Sequence, residues 1–202
     1  MGIDMTYQAM PECPLLERSR QEPEFGSLLE FFSSIARNGA ITSEQPWLSF
    51  AEAAQQTIQQ YPGLDSRYLA WGRCWDTIHY LLSEQRRQDY SHPDPSPHLS
   101  PLEKAIFGST ILHPQVKTTI GFRISYTLPD DVVAIADFLA GITPALLHQH
   151  FDPVVMREHS VYKIRGDEDE SEFTWIQEDF EKLSTFYQHV AAHNEGVLGC
   201  LG

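Results

Sequence analysis

The sequence of 202 residues has few cysteines, few basic residues and no long apolar run. Its three cysteines, Cys13, Cys74 and Cys200, form no C-x-x-C pair and cannot supply the several disulfides that stabilise a small secreted domain. No stretch of about 18 uncharged apolar residues could span a membrane, and the first residues lack the basic and apolar regions of a secretory signal. These absences predict a cytoplasmic protein whose cysteines are buried as small apolar side chains.

The shortage of basic residues gives the chain a strong negative charge. It has 14 Lys and Arg against 28 Asp and Glu, a formal net charge of −14. Nucleic acids and anionic membranes would repel such a protein, so neither is an expected partner. Residues 151–202 contain four basic and eleven acidic side chains, so half of the net charge lies in the last quarter of the chain.

Hydrophobic patterning predicts three strands. Apolar and polar residues alternate over residues 3–9 and 120–128, and residues 197–201 form a short apolar run. Because the strands do not alternate regularly with helices, the pattern favours an α+β fold. Its sheet would be small and mostly antiparallel, with several helices packed on it. The length and the 42% apolar content fit one domain over residues 1–202.

Helix signals occupy much of the remaining chain. Apolar residues at spacings of three and four predict one long helix over residues 68–87, and four prolines between residues 93 and 101 predict an extended surface loop near residues 91–101. Polar residues typical of a helix N-cap precede several other helical patterns. Ser49, Ser100 and Thr174 begin capping boxes, and Thr143 and Asp152 precede prolines.

Several short motifs occur in the order that they have in one known family. They are Trp75-Asp76-Thr77-Ile78-His79-Tyr80-Leu81-Leu82, Ser100-Pro101-Leu102-Glu103-Lys104-Ala105-Ile106-Phe107-Gly108, Tyr126-Thr127-Leu128-Pro129-Asp130-Asp131-Val132, Phe151-Asp152-Pro153 and residues 180–198. With these motifs the sequence resembles the uncharacterised bacterial YfbM-like family, a domain of unknown function. It departs from the family pattern after Tyr162, where Lys163 and Ile164 replace the usual proline and a nearby tryptophan. The resemblance implies a single α+β domain but no established activity.

The most specific local candidate for a functional site is Trp75-Asp76-x-x-His79. Residues three apart on a helix are neighbours, so Asp76 could hold one tautomer of His79, as a general base requires. In the alternative interpretation, Trp75 belongs to the core, and Asp76 and His79 tie down a neighbouring loop through hydrogen bonds. No nucleophile motif such as G-x-S-x-G accompanies the pair, so a structural or ligand-lining role is favoured over catalysis.

The second candidate is an acidic run at residues 166–172. A concentrated negative patch steers association with positive proteins, so the carboxylates of this run are candidate partner-binding groups. They belong to Asp167, Glu168, Asp169, Glu170 and Glu172. The alternative is a solvated acidic loop that binds no partner.

No cofactor or metal site is predicted. His189 and His193 stand one helical turn apart, and His148 and His150 lie two residues apart, but neither pair belongs to an H-E-x-x-H motif. The sequence therefore predicts a non-enzymatic binding module, in one version an immunity-type protein that neutralises a basic partner protein. A small-molecule enzyme or ligand-binding protein with its site around Asp76 and His79 is the alternative.

Overall fold

A five-stranded antiparallel sheet forms the centre of the computed structural model, which describes residues 4–40, 42–83 and 94–202. The strand order across the sheet is β2-β1-β5-β4-β3. The strands are β1 (Met5–Met10), β2 (Tyr68–Gly72), β3 (Thr110–Ile111), β4 (Ile124–Thr127) and β5 (Gly196–Leu201). The predicted α+β fold is confirmed, and the three predicted strands are the three central ones.

Helices cover both faces of this sheet. They are α1 (Pro14–Gln21), α2 (Pro23–Gly26), α3 (Phe32–Asn38), α4 (Trp47–Gln60), α5 (Trp75–Leu82), α6 (Pro101–Phe107), α7 (Pro129–Ala140), α8 (Pro144–His148), α9 (Pro153–Glu158) and α10 (Glu170–Ala192). Within the described ranges, no helix combines the length and the apolar character needed to cross a membrane.

Strand β1 shows how the sheet is buried from both sides. Successive side chains of a strand point to opposite faces. The ring of Tyr7 contacts Phe186 and Tyr187 of α10 on one face, at centroid distances of 6.0 and 6.1 Å. On the other face, the amide of Gln8 donates to the Leu64 carbonyl at 2.9 Å and its oxygen accepts from the Ser33 hydroxyl. A continuous cluster of buried apolar side chains includes residues of both helical layers.

Three of the five predicted N-caps are confirmed. Ser100 forms a complete capping box with Glu103, while Thr143 and Asp152 accept hydrogen bonds from backbone N–H groups of the helices they precede. The predictions at Ser49 and Thr174 are wrong, because both residues lie inside helices.

Each of these two hydroxyls instead donates to a carbonyl in the preceding turn. Ser49 donates to the Pro46 carbonyl at 3.0 Å and Thr174 to the Glu170 carbonyl at 2.9 Å. This is the usual bond of a serine or threonine within a helix. Helix α4 accordingly begins two residues before Ser49 and α10 four residues before Thr174.

The predicted helix over residues 68–87 is wrong in its first part. Residues 68–72 form β2, and α5 begins only at Trp75. The side chains of Leu69 and Trp71 face the core, whereas Tyr68 and Ala70 are exposed. Burial therefore alternates with the two-residue period of a strand, although apolar residues at both kinds of position hide this period in the sequence. Gly72 has a φ of +68°, a conformation that favours glycine and ends the strand. Residues 84–87 of the predicted helix lie outside the described residues.

Two other predicted boundaries also change. The strand predicted over residues 120–128 is limited to β4, because residues 118–122 form a turn in which the Gly121 N–H donates to the Thr118 carbonyl at 2.8 Å. Of the proline-rich loop, residues 94–100 are described and contain neither helix nor strand. Residues 91–93 of that loop, and residue 3 of the predicted first strand, lie outside the described residues.

Candidate functional site

An open groove of about 560 Å³ runs between β2, at the edge of the sheet, and α10; we call it the β2–α10 groove. Its wall on the strand side is formed by residues 66–69. Its wall on the helix side is formed by Glu178, Glu181, Lys182, Thr185, Phe186 and His189. The groove therefore combines the backbone of an edge strand with the side chains of the longest helix.

The ladder between β1 and β2 determines which backbone groups face the groove side of β2. Ala9 N–H donates to the Arg67 carbonyl at 2.9 Å, and opposed residues in an antiparallel ladder alternate between bonded and non-bonded pairs. Leu69 therefore bonds to β1. The N–H and C=O groups of Tyr68 and Ala70 point away from β1, toward the outer edge of the sheet.

The floor of the groove contains a buried ion pair. The guanidinium of Arg67 donates to both carboxylate oxygens of Glu195, with N–O distances of 2.7 and 2.6 Å, and to the Pro62 carbonyl at 3.2 Å. The side chains of Arg67 and Glu195 are only 5% and 3% exposed. Because these two charges neutralise each other, the charge of the groove is determined by its rim.

The rim on α10 is acidic, and an exposed tryptophan stands one helical turn before its first residue, Glu178. Trp175 is 67% exposed, the most exposed of the large apolar side chains in the described ranges. Residues three and four apart are neighbours on a helix, so Trp175 lies beside Glu172, Glu178 and Asp179. Asp179 bonds to Lys182 at 2.6 Å, which leaves the carboxylates of Glu178 and Glu181 to dominate the rim.

Most of the acidic run predicted as a partner surface instead builds the start of α10. Asp169 is the N-cap: it accepts from the Ser171 N–H, and the Ser171 hydroxyl is the main cause that lowers the pKa of Asp169 to about 2. Glu172 completes the capping box by accepting from the Asp169 N–H at 3.2 Å. Burial raises the pKa of Glu168, but the N–H groups of Arg165 and Gly166 outweigh that effect and lower it.

The two remaining carboxylates of the run are exposed. Asp167 lies 3.3 Å from the Arg165 guanidinium, and Glu170 lies 3.1 Å from Nε2 of His148. Both side chains are more than three-quarters exposed. The run therefore does not form one uniform acidic surface, and the exposed negative charge continues onto the outer face of α10.

Trp75, Asp76 and His79 are all buried in α5. A carboxylate oxygen of Asp76 accepts the backbone N–H of Tyr162 at 2.6 Å, and the Trp75 ring stacks on the Tyr162 ring at 6.2 Å. His79 contacts the edge of Phe107 at a centroid distance of 5.0 Å. Asp76 thus holds the loop that contains Tyr162.

Trp75 also lines a second cavity, of about 370 Å³. The walls are mostly apolar and include Phe107 and Phe122. At the rim, Arg123 forms an ion pair with Asp94 at 3.1 Å. The structure therefore places one of the three predicted residues, Trp75, against a space that could hold a small molecule.

The histidines do not form a metal centre with other residues of the described ranges, where no group of three or more His, Cys, Asp or Glu side chains could hold an ion. The rings of His189 and His193 lie 4.9 Å apart, and Nδ1 of His193 lies 2.8 Å from the His189 carbonyl. His148 lies against Phe173 and Glu170.

Three residues at the groove were missed from the sequence: Arg67, Glu195 and Trp175. Nothing local marks Arg67 and Glu195 as buried partners, because charged residues in turns are usually exposed. Trp175 had a usable signal: Ile176, Phe180 and later apolar residues define the buried stripe of α10, and Trp175 falls outside that stripe.

Comparison with known proteins gives a family and a fold. The family model described as "Domain of unknown function (DUF1877)" matches residues 1–199. The crystal structure of YfbM from Escherichia coli, a protein of unknown function, is similar, with a TM-score of 0.56 and 17% sequence identity. The match covers 98% of this chain and 99% of that one. No curated protein matches significantly.

Proposed function

We propose that this chain, which belongs to the DUF1877 family of domains of unknown function, is a non-enzymatic module that binds a basic partner protein along α10. The observation that carries the proposal is the exposed indole of Trp175 beside the carboxylates of the β2–α10 groove. Tryptophan is enriched among the residues that dominate binding energy at protein interfaces.

The charge of this surface indicates the chemistry of the partner. Glu178 and Glu181 line the groove, and Asp167 and Glu170 place further negative charge at the start of α10. Such a surface attracts basic proteins and repels acidic ones. A lysine or arginine of the partner can also stack on the face of Trp175, which adds a cation–π contact.

An immunity-type role is the specific version of this proposal. A protein that neutralises a basic toxin has to cover it with complementary charge. A small chain with a net charge of −14, half of it in the last quarter, fits that requirement. In this version the outer face of α10, rather than residues 167–172 alone, contacts the toxin.

The proposal is tested with an array of lysine- and arginine-rich peptides, the wild-type protein and three variants. We expect Trp175→Ala and the double variant Glu178→Lys/Glu181→Lys each to weaken peptide binding by at least about tenfold. The matched control is Glu17→Lys/Glu52→Lys, which makes the same change in net charge on the other helical layer. Equal losses in the control and in the α10 variant would show that only net charge matters and would overturn the proposal.

A small-molecule site is the second candidate, favoured by the cavity beside Trp75. Pockets with mostly apolar walls and a few polar groups are typical ligand sites, and Arg123 could hold an acidic group of an aromatic ligand at the rim. Thermal-shift screening with aromatic carboxylates tests this, and Arg123→Gln should remove any stabilisation found. Catalysis by Asp76 and His79 needs further evidence. The protein would have to show an activity that Asp76→Asn or His79→Ala abolishes while the variant remains folded.

A further inference from the structure

We infer that the β2–α10 groove receives an extended basic segment of the partner, which adds to the sheet as a sixth strand beside β2. This inference rests on the proposed function and specifies how the partner is bound. Strand addition to a sheet edge supplies affinity through main-chain hydrogen bonds, while alternate side chains supply specificity.

The first support is the geometry of the edge. The N–H and C=O groups of Tyr68 and Ala70 point away from β1, as the Ala9–Arg67 hydrogen bond and the register show. An added strand would lie about 4.8 Å from β2, on the side of the sheet where the groove opens. These four backbone groups are the ones that it would pair with.

The second support is the sequence of β2, which lacks two of the features that protect open edges. Natural edge strands are blocked by charged residues, by proline, by bulges or by a covering segment. The sequence of β2, Tyr-Leu-Ala-Trp-Gly, contains no charged residue and no proline. Its ladder with β1 shifts register between the Met5–Gly72 and Thr6–Ala70 pairs, so the bulged residue of β2 is Trp71, which follows Tyr68 and Ala70.

The third support is the position of α10, which forms a wall beside this edge. The indole N–H of Trp71 donates to the Asp179 carbonyl at 2.9 Å and so fixes the helix against the strand. Alternate side chains of an added strand would face this wall. There they would meet the apolar surface of Leu69 and Phe186 and the carboxylates of Glu178 and Glu181. A segment in which lysine or arginine alternates with apolar residues fits both the apolar surface and the carboxylates.

Charge also distinguishes this partner from a second copy of the same chain. Pairing two β2 edges would bring two acidic α10 faces together, in a dimer of chains that each have a net charge of −14. Like charges placed opposite each other are destabilising. The occupant that the groove favours is therefore a basic segment of a different protein.

The test uses ten-residue peptides that alternate lysine with valine, and the same peptides N-methylated at every second amide. Ala70→Pro removes the outward N–H of Ala70 without removing a hydrogen bond to β1. We expect Ala70→Pro and peptide N-methylation each to weaken binding at least about tenfold. Ala70→Ser, which keeps the N–H, should bind as the wild type does. In wild-type protein, the peptide should protect the Tyr68 and Ala70 amides from hydrogen exchange.

The possible failures are distinguishable. In one outcome, the Tyr68 and Ala70 amides stay unprotected in the complex, and Glu178→Lys/Glu181→Lys still abolishes binding. That result would overturn strand addition but leave the proposed function intact. Peptide binding that Glu178→Lys/Glu181→Lys does not weaken would overturn both strand addition and the proposed function. A wild-type dimer that Ala70→Pro converts to monomer would show that a second copy is the occupant. If circular dichroism shows Ala70→Pro to be misfolded, the amide protection in the wild type decides.

Discussion

Arg67 and Glu195 are 128 positions apart in the sequence and form a two-armed, almost fully buried ion pair. The backbone carbonyl of Arg67 also accepts from Ala9 in β1. The pair therefore joins the start of the edge strand to the turn before β5, and it holds the floor of the β2–α10 groove.

Glu195→Gln should lower the free energy of unfolding by about 3–5 kcal/mol, because it leaves the Arg67 guanidinium buried beside a neutral amide. Arg67→Met/Glu195→Leu, which removes both charges, should lower the free energy of unfolding much less. Urea unfolding measures both variants. The exposed Arg18–Glu22 pair is the matched control, and Glu22→Gln there should change the free energy of unfolding far less, because solvent screens both charges. A double variant that loses as much stability as Glu195→Gln, or more, would contradict the coupling between the two charges.

Tyr7→Phe should not lower the free energy of unfolding. The Tyr7 hydroxyl is buried and has no hydrogen-bond partner in the described part of the chain, so phenylalanine removes an unsatisfied polar group. Tyr187→Phe is the matched control. It removes a 2.7 Å bond to the Ala105 carbonyl and should cost about 1 kcal/mol. A loss of the same size in Tyr7→Phe would show that its hydroxyl is bonded in solution.

Asp169 should titrate far below an ordinary aspartate. The Ser171 hydroxyl and neighbouring groups lower the pKa of Asp169 to about 2, whereas an unfolded aspartate has a value of about 3.9. The ionised cap therefore stabilises the fold above about pH 4, and this contribution disappears as the pH falls toward 2. Carboxyl-detected NMR measures the midpoint. Asp169→Asn, which keeps the cap but does not ionise, should lose this part of the acid sensitivity, and an unchanged pH dependence would contradict it.

Cys74 should react slowly with iodoacetamide. Burial, and after it the Asp179 carboxylate, raises the pKa of Cys74 to about 12. At pH 8.5 its thiolate fraction is then about a thousandfold below that of an ordinary cysteine. Asp179→Asn should lower the pKa of Cys74 and speed alkylation, which peptide mass spectrometry follows site by site. Alkylation unaffected by Asp179→Asn would show that burial alone protects the thiol.

The parts of the fold that local pattern determines were predictable. The three central strands alternate or are wholly apolar, and Ser100, Thr143 and Asp152 are each followed by proline, a combination that marks a helix start strongly. Ser49 and Thr174 carry the same motif without proline. At both positions the helix begins earlier: α4 begins after Pro46, and Asp169 with Glu172 forms the capping box that starts α10.

The candidate site was predictable only in part. The sequence located the negative charge near the start of α10, but the capping bonds of Asp169 and Glu172 depend on the exact first residue of the helix. Strand β2 was hidden because the aromatic residues Trp71 and Trp75 fit a helical spacing as well as a strand followed by a helix. The groove depends on contacts across more than a hundred residues, such as Trp71 with Asp179, which no local pattern contains.

The neighbouring strands β1 and β5 come from opposite ends of the described chain, and Asp4 and Gly202 exchange backbone hydrogen bonds of 2.8 and 2.9 Å. During synthesis, β5 cannot pair with β1 and β4 until residues 196–201 have left the ribosome. The sheet and the core packed on it therefore form late.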